Sequence, residues 1–225
     1  MKRLFTLLFA VMVGGFVFGQ TLTDWLNENP GNVAFSQETS TVQDGSTALG
    51  IVCTTDAQAD TEVVSATFTV TPGASFTASA YIMDNDIAGK ARIAVSFDGT
   101  NEFGGYSTDG TEWELVEMTG TVPDGVSTGT FFFRFYDISA DWDGDFECIL
   151  DNVVYSEDGG TTNLITNASF ENWETLVATE YTIAEIQDTT GTGGTGSAVV
   201  TEYVETTGIV TGVYDGEFTM QNGTG

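Results

Sequence analysis

Between Gln20 and about Asp158 the chain reads as short runs of alternating apolar and polar residues divided by turn residues, and no long stretch repeats with helical spacing. Seven strands are predicted, near residues 48 to 53, 62 to 70, 75 to 83, 91 to 98, 112 to 118, 129 to 137 and 146 to 155. Asp-Gly pairs begin at 44, 98, 109, 124, 143 and 158, mostly between those runs. This pair favours the positive backbone angles of tight reversals, and the whole pattern predicts an all-β sandwich.

Alternation also assigns faces. Phe76, Ala78, Ala80 and Ile82 point one way, with Thr77, Ser79 and Tyr81 opposite. Phe131, Phe133 and Phe135 share a face, which leaves Phe132, Arg134 and Tyr136 on the other. Ile93, Val95 and Phe97 are inward in the same sense, so Arg92 points outward with Ala94 and Ser96. Two arginines therefore lie outside the core in company with tyrosines.

Composition narrows the chemistry. With 41% apolar and 12% aromatic residues in 225, the chain is too hydrophobic for a disordered acidic tail and long enough for one sizeable core or two modest ones. It contains no histidine, which excludes Ser-His-Asp and Cys-His nucleophile activation and any imidazole metal ligand. A two-carboxylate glycosidase needs none, but any two of 33 acids would serve, so no catalytic residue is assigned. Five Lys and Arg against those acids repel phosphate backbones, and nucleic acid is not an expected partner.

The N-terminus is a targeting segment. Met1-Lys2-Arg3 is followed by an apolar run from Leu4 to Phe18, too short for the roughly 20 residues of a membrane-spanning helix. A secretory signal peptide cleaved before Gln20 is expected, and with it a secreted chain that no longer engages a membrane. Cleavage removes Lys2 and Arg3 and no acid, leaving Lys90, Arg92 and Arg134 as the only cations. Export also makes Cys53 and Cys148 candidates for one disulfide. The bridge would contribute about 4–5 kcal/mol in a chain-entropy account; two buried free thiols are the alternative.

Three runs bring a family into view: Thr69-Val-Thr-Pro-Gly-Ala-Ser-Phe-Thr-Ala-Ser-Ala-Tyr81, Thr111-Glu-Trp-Glu-Leu-Val-Glu-Met118 and Cys148-Ile-Leu-Asp-Asn-Val-Val-Tyr155. Together they resemble carbohydrate-binding modules of the cellulase-C type, over residues 40 to 156 or so, which implies a galactose-binding-like jelly roll spanning 20–158. Such modules open with Asn-Leu-Ile-x-Asn-x-x-Phe-Glu. Here Asn163-Leu-Ile-Thr-Asn-Ala-Ser-Phe-Glu171-Asn-Trp173 follows the sandwich, as a linker or displaced first strand within 159–180, or as the start of a second module. From residue 181 to 225, the Ile-Ala-Glu-Ile-Gln lead-in, Thr-x-Gly-Ile-Val-Thr and Phe-x-x-Gln-x-Gly-x-Gly resemble the opening of an OB-fold domain of secreted bacterial nucleases. An OB-fold has five strands, so this stretch reads as an incomplete OB-fold-like β segment and the chain as a fragment.

The residues and the resemblance yield two candidate sites. Tyr81, Arg92, Arg134 and Tyr136 form a possible sugar platform, in which rings stack on apolar sugar faces and guanidinium groups donate fixed hydrogen bonds. The partner would be a polysaccharide, preferably acidic; the bland alternative is a solvated sheet face. Trp142 either flanks that platform or lids the core. Asp137, Asp141, Asp143 and Asp145 look like a hard-cation loop but fail the EF-hand spacing, because Gly144 stands fourth in the loop and not sixth. The resemblance implies a structural calcium held by Asp44 and Asp151, with Glu171 if the displaced strand docks; solvated turn acids are the alternative. The expected function is a secreted non-catalytic module that targets a larger exoprotein to polysaccharide. A non-catalytic portion of an extracellular nuclease or phosphodiesterase, and a structural adhesin domain, are the alternatives.

Overall fold

Every described regular element is a strand, as the alternation pattern demands. The computed structural model describes residues 18–57, 61–176, 179–180, 204–205, 209–214 and 217–221. In chain order the strands are β1 (Phe18–Leu22), β2 (Trp25–Asn27), β3 (Val33–Glu38), β4 (Ala48–Cys53), β5 (Glu62–Ser65) and β6 (Phe68–Thr69). They continue with β7 (Ser75–Met83), β8 (Gly89–Phe97), β9 (Thr100–Tyr106), β10 (Glu114–Thr121), β11 (Thr128–Asp137), β12 (Phe146–Glu157) and β13 (Trp173–Leu176). After these come β14 (Thr179–Glu180), β15 (Val204–Glu205), β16 (Ile209–Tyr214) and β17 (Glu217–Gln221).

The chain divides into two units. Leu22–Glu174 holds the sandwich. One sheet runs β10-β7-β12-β4-β3 and the other β2-β5-β11-β8-β9, with β6 also on β11, giving five and six strands. Successive strands switch sheets at β2 to β3, β4 to β5, β6 to β7, β7 to β8, β9 to β10, β10 to β11 and β11 to β12, as in a jelly roll. In the second unit β14 pairs with β15 in parallel, and β16 with β17 antiparallel. Much of the OB-fold-like stretch, including Tyr181 to Gln187 and Thr189 to Gly196, lies outside the described residues, as do residues 1 to 17 of the expected signal peptide.

The inward faces are those that alternation assigns. Phe76, Ala78, Ala80 and Ile82 line one wall, and Phe131, Phe133, Phe135, Ile93, Val95 and Phe97 the other, all at most 2% exposed. Burying each large apolar side chain contributes about 1.5–3 kcal/mol. Trp25 from β2 packs edge-on to Phe131 at 6.3 Å, while Tyr155 stacks on Phe76 at 5.3 Å. Phe97 pairs with Thr100 across the two-residue turn Asp98-Gly99, both at positive φ (48° and 77°), the geometry of a type I′ hairpin.

Several strands depart from the expected set. The run 62 to 70 is two strands, divided where the Ser65 hydroxyl accepts the Phe131 N–H at 3.0 Å in place of a backbone carbonyl. The strand expected from 112 begins at Glu114 and runs to Thr121. β2, β3 and β9 lie outside the expected set, since short strands among Asn, Pro and Gly residues carry the local signature of loops.

The Asn163–Trp173 motif docks on the sandwich without forming its opening strand, and only Trp173 lies in a strand. Asn163 Oδ1 accepts the N–H groups of Tyr155 (3.0 Å) and Ile165 (3.2 Å), and its Nδ2 donates to Val153 O at 2.7 Å. Asn167 Nδ2 donates to Thr23 O, and Asn167 O accepts Trp25 Nε1–H at 3.0 Å. Phe170, with no exposed surface, lies 4.9 Å from Trp25. Asn163 and Asn167 thus hold backbone that places the apolar neighbours Ile165 and Phe170 in the core.

The disulfide expectation is corrected. Cys53 and Cys148 are buried free thiols. The register sets Phe146 opposite Cys53 and Ile51 opposite Cys148, which makes the cysteines diagonal neighbours. Diagonal Cα separations of roughly 7–8 Å exceed what a disulfide spans. Burial raises both thiol pKa values and keeps the groups protonated. A reducing agent is therefore expected to leave the melting temperature unchanged in a thermal scan; a fall of several degrees would restore the bridge.

Core packing makes a second prediction. An added Cβ at Gly89 would sit 2.3 Å from Phe146 Cγ, on a fully buried ring with no room to move. Gly89→Ala should lower stability by about 1–3 kcal/mol in urea unfolding, the usual cost of overpacking.

Candidate functional site

The inward Phe131, Phe133 and Phe135 force Phe132, Arg134 and Tyr136 onto the outer face of the six-stranded sheet, and the β8 register aligns Ala94, Arg92 and Lys90 beside them. On the far side of β8, β9 pairs Tyr106 with Arg92 and Phe103 with Ala94. In a regular strand residues three apart point to opposite faces. An irregularity between Arg92 and Ala94 brings both rings to the outer face.

The resulting patch is a lattice of cations on rings. Lys90 Nζ lies 4.3 Å from the centre of the Tyr106 ring. The Arg92 guanidinium carbon lies 4.5 Å from Phe103 and 4.7 Å from Tyr106, and that of Arg134 lies 5.0 Å from Phe103 and 5.6 Å from Phe132. Such contacts contribute about 0.5–1 kcal/mol each at exposed sites. Arg92 Nε donates to Gly104 O at 2.8 Å and Nη1 to Tyr106 Oη at 3.2 Å. Arg134 forms an ion pair with Glu62. Burial opposes the charge of Arg134, and Glu62 and Tyr136 outweigh it, so its pKa is raised. Phe132 is 2% exposed beneath this layer, whereas Phe103 (36%) and Tyr106 (40%) offer ring surface to solvent.

Of the expected platform, the structure brings together Arg92, Arg134 and Tyr136. Tyr81 is corrected: it lies on the outer face of the five-stranded sheet, beside Leu115, on the opposite side of the sandwich. Trp142 is half-buried and packs against the core. The sequence reading left out Lys90, Phe103, Tyr106 and Glu62. Lys90 was recoverable, because it shares the parity of Arg92; Phe103 and Tyr106 were not, because their common face depends on an irregular register.

Asp44, Asp151 and Glu171 do converge, around the loop at 43–47, but as acceptors for protein donors. Asp151 is fully buried and accepts the N–H groups of Gln43 (2.8 Å), Asp44 (2.9 Å) and Asn152 (2.7 Å). Glu171 accepts those of Ser46 (2.7 Å) and Thr47 (2.9 Å) and the Ser46 hydroxyl, while Asp44 accepts the Ser169 hydroxyl. Burial raises the Asp151 pKa against these bonds; at Glu171 burial is the largest single influence and also pushes upward, but the bonds from Ser46 and Thr47 together outweigh it and lower the pKa. Among the described residues no group of three or more His, Cys, Asp or Glu is placed to hold a metal ion. Asp141, Asp143 and Asp145 are exposed, and Asp137 accepts the Ser139 hydroxyl at 2.5 Å.

No protein family and no curated protein matches the chain. Among solved structures, the CBM22-1 and GH10 modules of a Clostridium thermocellum endo-1,4-β-D-xylanase, complexed with xylohexaose, align at 13% identity and a TM-score of 0.47. That alignment covers 61% of this chain and 27% of the xylanase chain, so this chain spans about a quarter of it. The CBM22-1 xylan-binding domain of Paenibacillus barcinonensis aligns at 14% identity and a TM-score of 0.43, over 63% of this chain and 90% of that one. Tailspike protein 4 of bacteriophage CBA120 aligns at 14% identity and 0.43, over 61% and 20%.

One buried acid anchors the patch. Asp84 Oδ2 accepts the Ser107 hydroxyl at 2.5 Å, and Ser107 Oγ accepts the Ala91 N–H at 2.8 Å, which fastens the end of β9, next to Tyr106, to β8. Burial pushes the Asp84 pKa to about 6; bonds from Ser107 and Asp86 oppose it, and the charges of Asp109 and Asp86 add to it. The unfolded value is 3.8. The folded state thus holds a proton that the unfolded state has lost between these values, and stability falls as pH rises from about 4 to 6. Asp84→Asn should remove that part of the slope when urea midpoints of the two proteins are compared from pH 4 to 7; parallel profiles would refute it.

Proposed function

We propose that residues 22–174 form a non-catalytic module, exported by the N-terminal segment, that binds an acidic polysaccharide on the outer face of the six-stranded sheet. One observation carries this reading: Lys90, Arg92 and Arg134 are every cation after Arg3, and all three stand on that face among Phe103, Tyr106, Phe132 and Tyr136, in a chain with 33 acids. A face that alone concentrates positive charge draws anionic ligands toward it and away from the remaining surface. Guanidinium forks match carboxylates in a planar, two-bond geometry. Exposed ring surface beside them takes the apolar faces of sugar rings. The stacked, hydrogen-bonded arginines are ordered before any ligand arrives, which limits the entropy that binding must offset.

Affinity electrophoresis of the full chain in polygalacturonate tests the reading. Arg92→Ala and Arg134→Ala should each weaken retention about 10- to 100-fold, the loss expected for a charge-assisted hydrogen bond. Added salt should weaken it further. Tyr81→Ala should leave it unchanged, because that ring lies on the other sheet. Absence of retention across acidic and neutral polysaccharides would sink the proposal.

A further inference from the structure

The outer face that carries the cations continues along β8 and β11 beyond Ala94 and Phe132. The next pair in register is Ser96 and Thr130, followed by the Asp98-Gly99 turn. There the surface opens into a shallow pocket of about 190 Å3, lined by the side chains of Thr67, Ser96, Asp98, Thr128 and Thr130 over a floor that includes Gly129. One water needs roughly 10–15 Å3, so the pocket has room for a larger group. Its chemistry differs from that of the patch. Four hydroxyls both donate and accept, Asp98 only accepts, and no cation is present among the lining residues.

Gly129 lets the strand beneath the pocket sit close against the core. A Cβ at that position would meet Phe97 and Phe68 ring carbons at 3.2–3.3 Å, so the backbone lies directly on the core. From Arg92 to Ser96 is four residues along one strand, about 13 Å at the usual rise. One extended ligand lying along β8 reaches both ends.

Resting on the polysaccharide reading above, we propose that this pocket is a second subsite that takes an uncharged, hydroxyl-rich sugar residue of the same ligand whose carboxylate Arg92 and Arg134 hold. Asp98 sets the discrimination: it accepts hydrogen bonds from sugar hydroxyls and repels a uronate or sulfate placed in the pocket. The preferred ligand is consequently a mixed polymer with acidic residues spaced by neutral ones. A polymer with an acid on every residue puts a negative charge against Asp98.

The test compares the full chain, Asp98→Asn and Thr130→Val in affinity electrophoresis with glucuronoxylan, a neutral backbone bearing scattered uronates, and with polygalacturonate, charged at every residue. Asparagine tolerates the positive φ at position 98, and valine keeps the shape of threonine at 130. The melting temperature of each variant is expected to match that of the original chain. The original chain should bind glucuronoxylan several-fold more tightly than polygalacturonate. Asp98→Asn should narrow or reverse that ratio by strengthening binding to polygalacturonate, and Thr130→Val should weaken binding to glucuronoxylan alone. Equal binding of both polymers, unaltered by either substitution, overturns the second subsite and leaves the polysaccharide reading standing. No binding of either polymer overturns both.

Discussion

The register of β11 is the constraint on which the rest of this sandwich depends. Phe131, Phe133 and Phe135 are completely buried between the two sheets, and a slip of one residue would expose all three and bury Arg134. Three large rings at stake far outweigh anything the outer face contributes, so the outer face is a consequence of the core. Phe132, Arg134 and Tyr136 are outward because their neighbours cannot be. The same argument runs through β8, where buried Ile93, Val95 and Phe97 deliver Lys90, Arg92 and Ser96 to the same surface.

With the face fixed in this way, electrostatics decide what it can do. A chain so acidic stays soluble by mutual repulsion of its surface charge, and a cluster of its few cations costs nothing in core packing. The rings hold those cations in place. Arg92 lies between Phe103 and Tyr106, with hydrogen bonds to Gly104 O and the Tyr106 hydroxyl, and Arg134 lies over Phe103 and Phe132 while paired to Glu62. Positive charge is thereby presented on a stiff, partly apolar support, with a hydroxyl-lined recess that also holds Asp98 further along the same strands.

The motif at 163–173 shows how a sequence signature keeps its physical role when its place in the chain changes. Asn163 and Asn167 use their amides to satisfy backbone groups of β12 and of the chain around Thr23, which lets Ile165 and Phe170 enter the core without leaving buried polar atoms unpaired. Glu171 then ties down the loop at Ser46 and Thr47. The carboxylates that the family resemblance linked to calcium instead accept hydrogen bonds from protein donors, chiefly backbone N–H groups. These bonds close the loop onto the end of the sheet.

Alternating residues along the chain were enough to determine the all-β class, most of the longer strands, and the inward and outward sides of β7, β8 and β11, because a two-residue period is a local property that burial then enforces. They were also enough to place Arg92, Arg134 and Tyr136 on a non-core face. Which sheet each strand joined was a matter of long-range pairing, and that separated Tyr81 from the arginines and kept the two cysteines diagonal to each other. It also took the tertiary structure to recruit Phe103 and Tyr106. Their strand reads locally as a loop, and their shared face arises from a register irregularity that exists only once β9 has paired with β8.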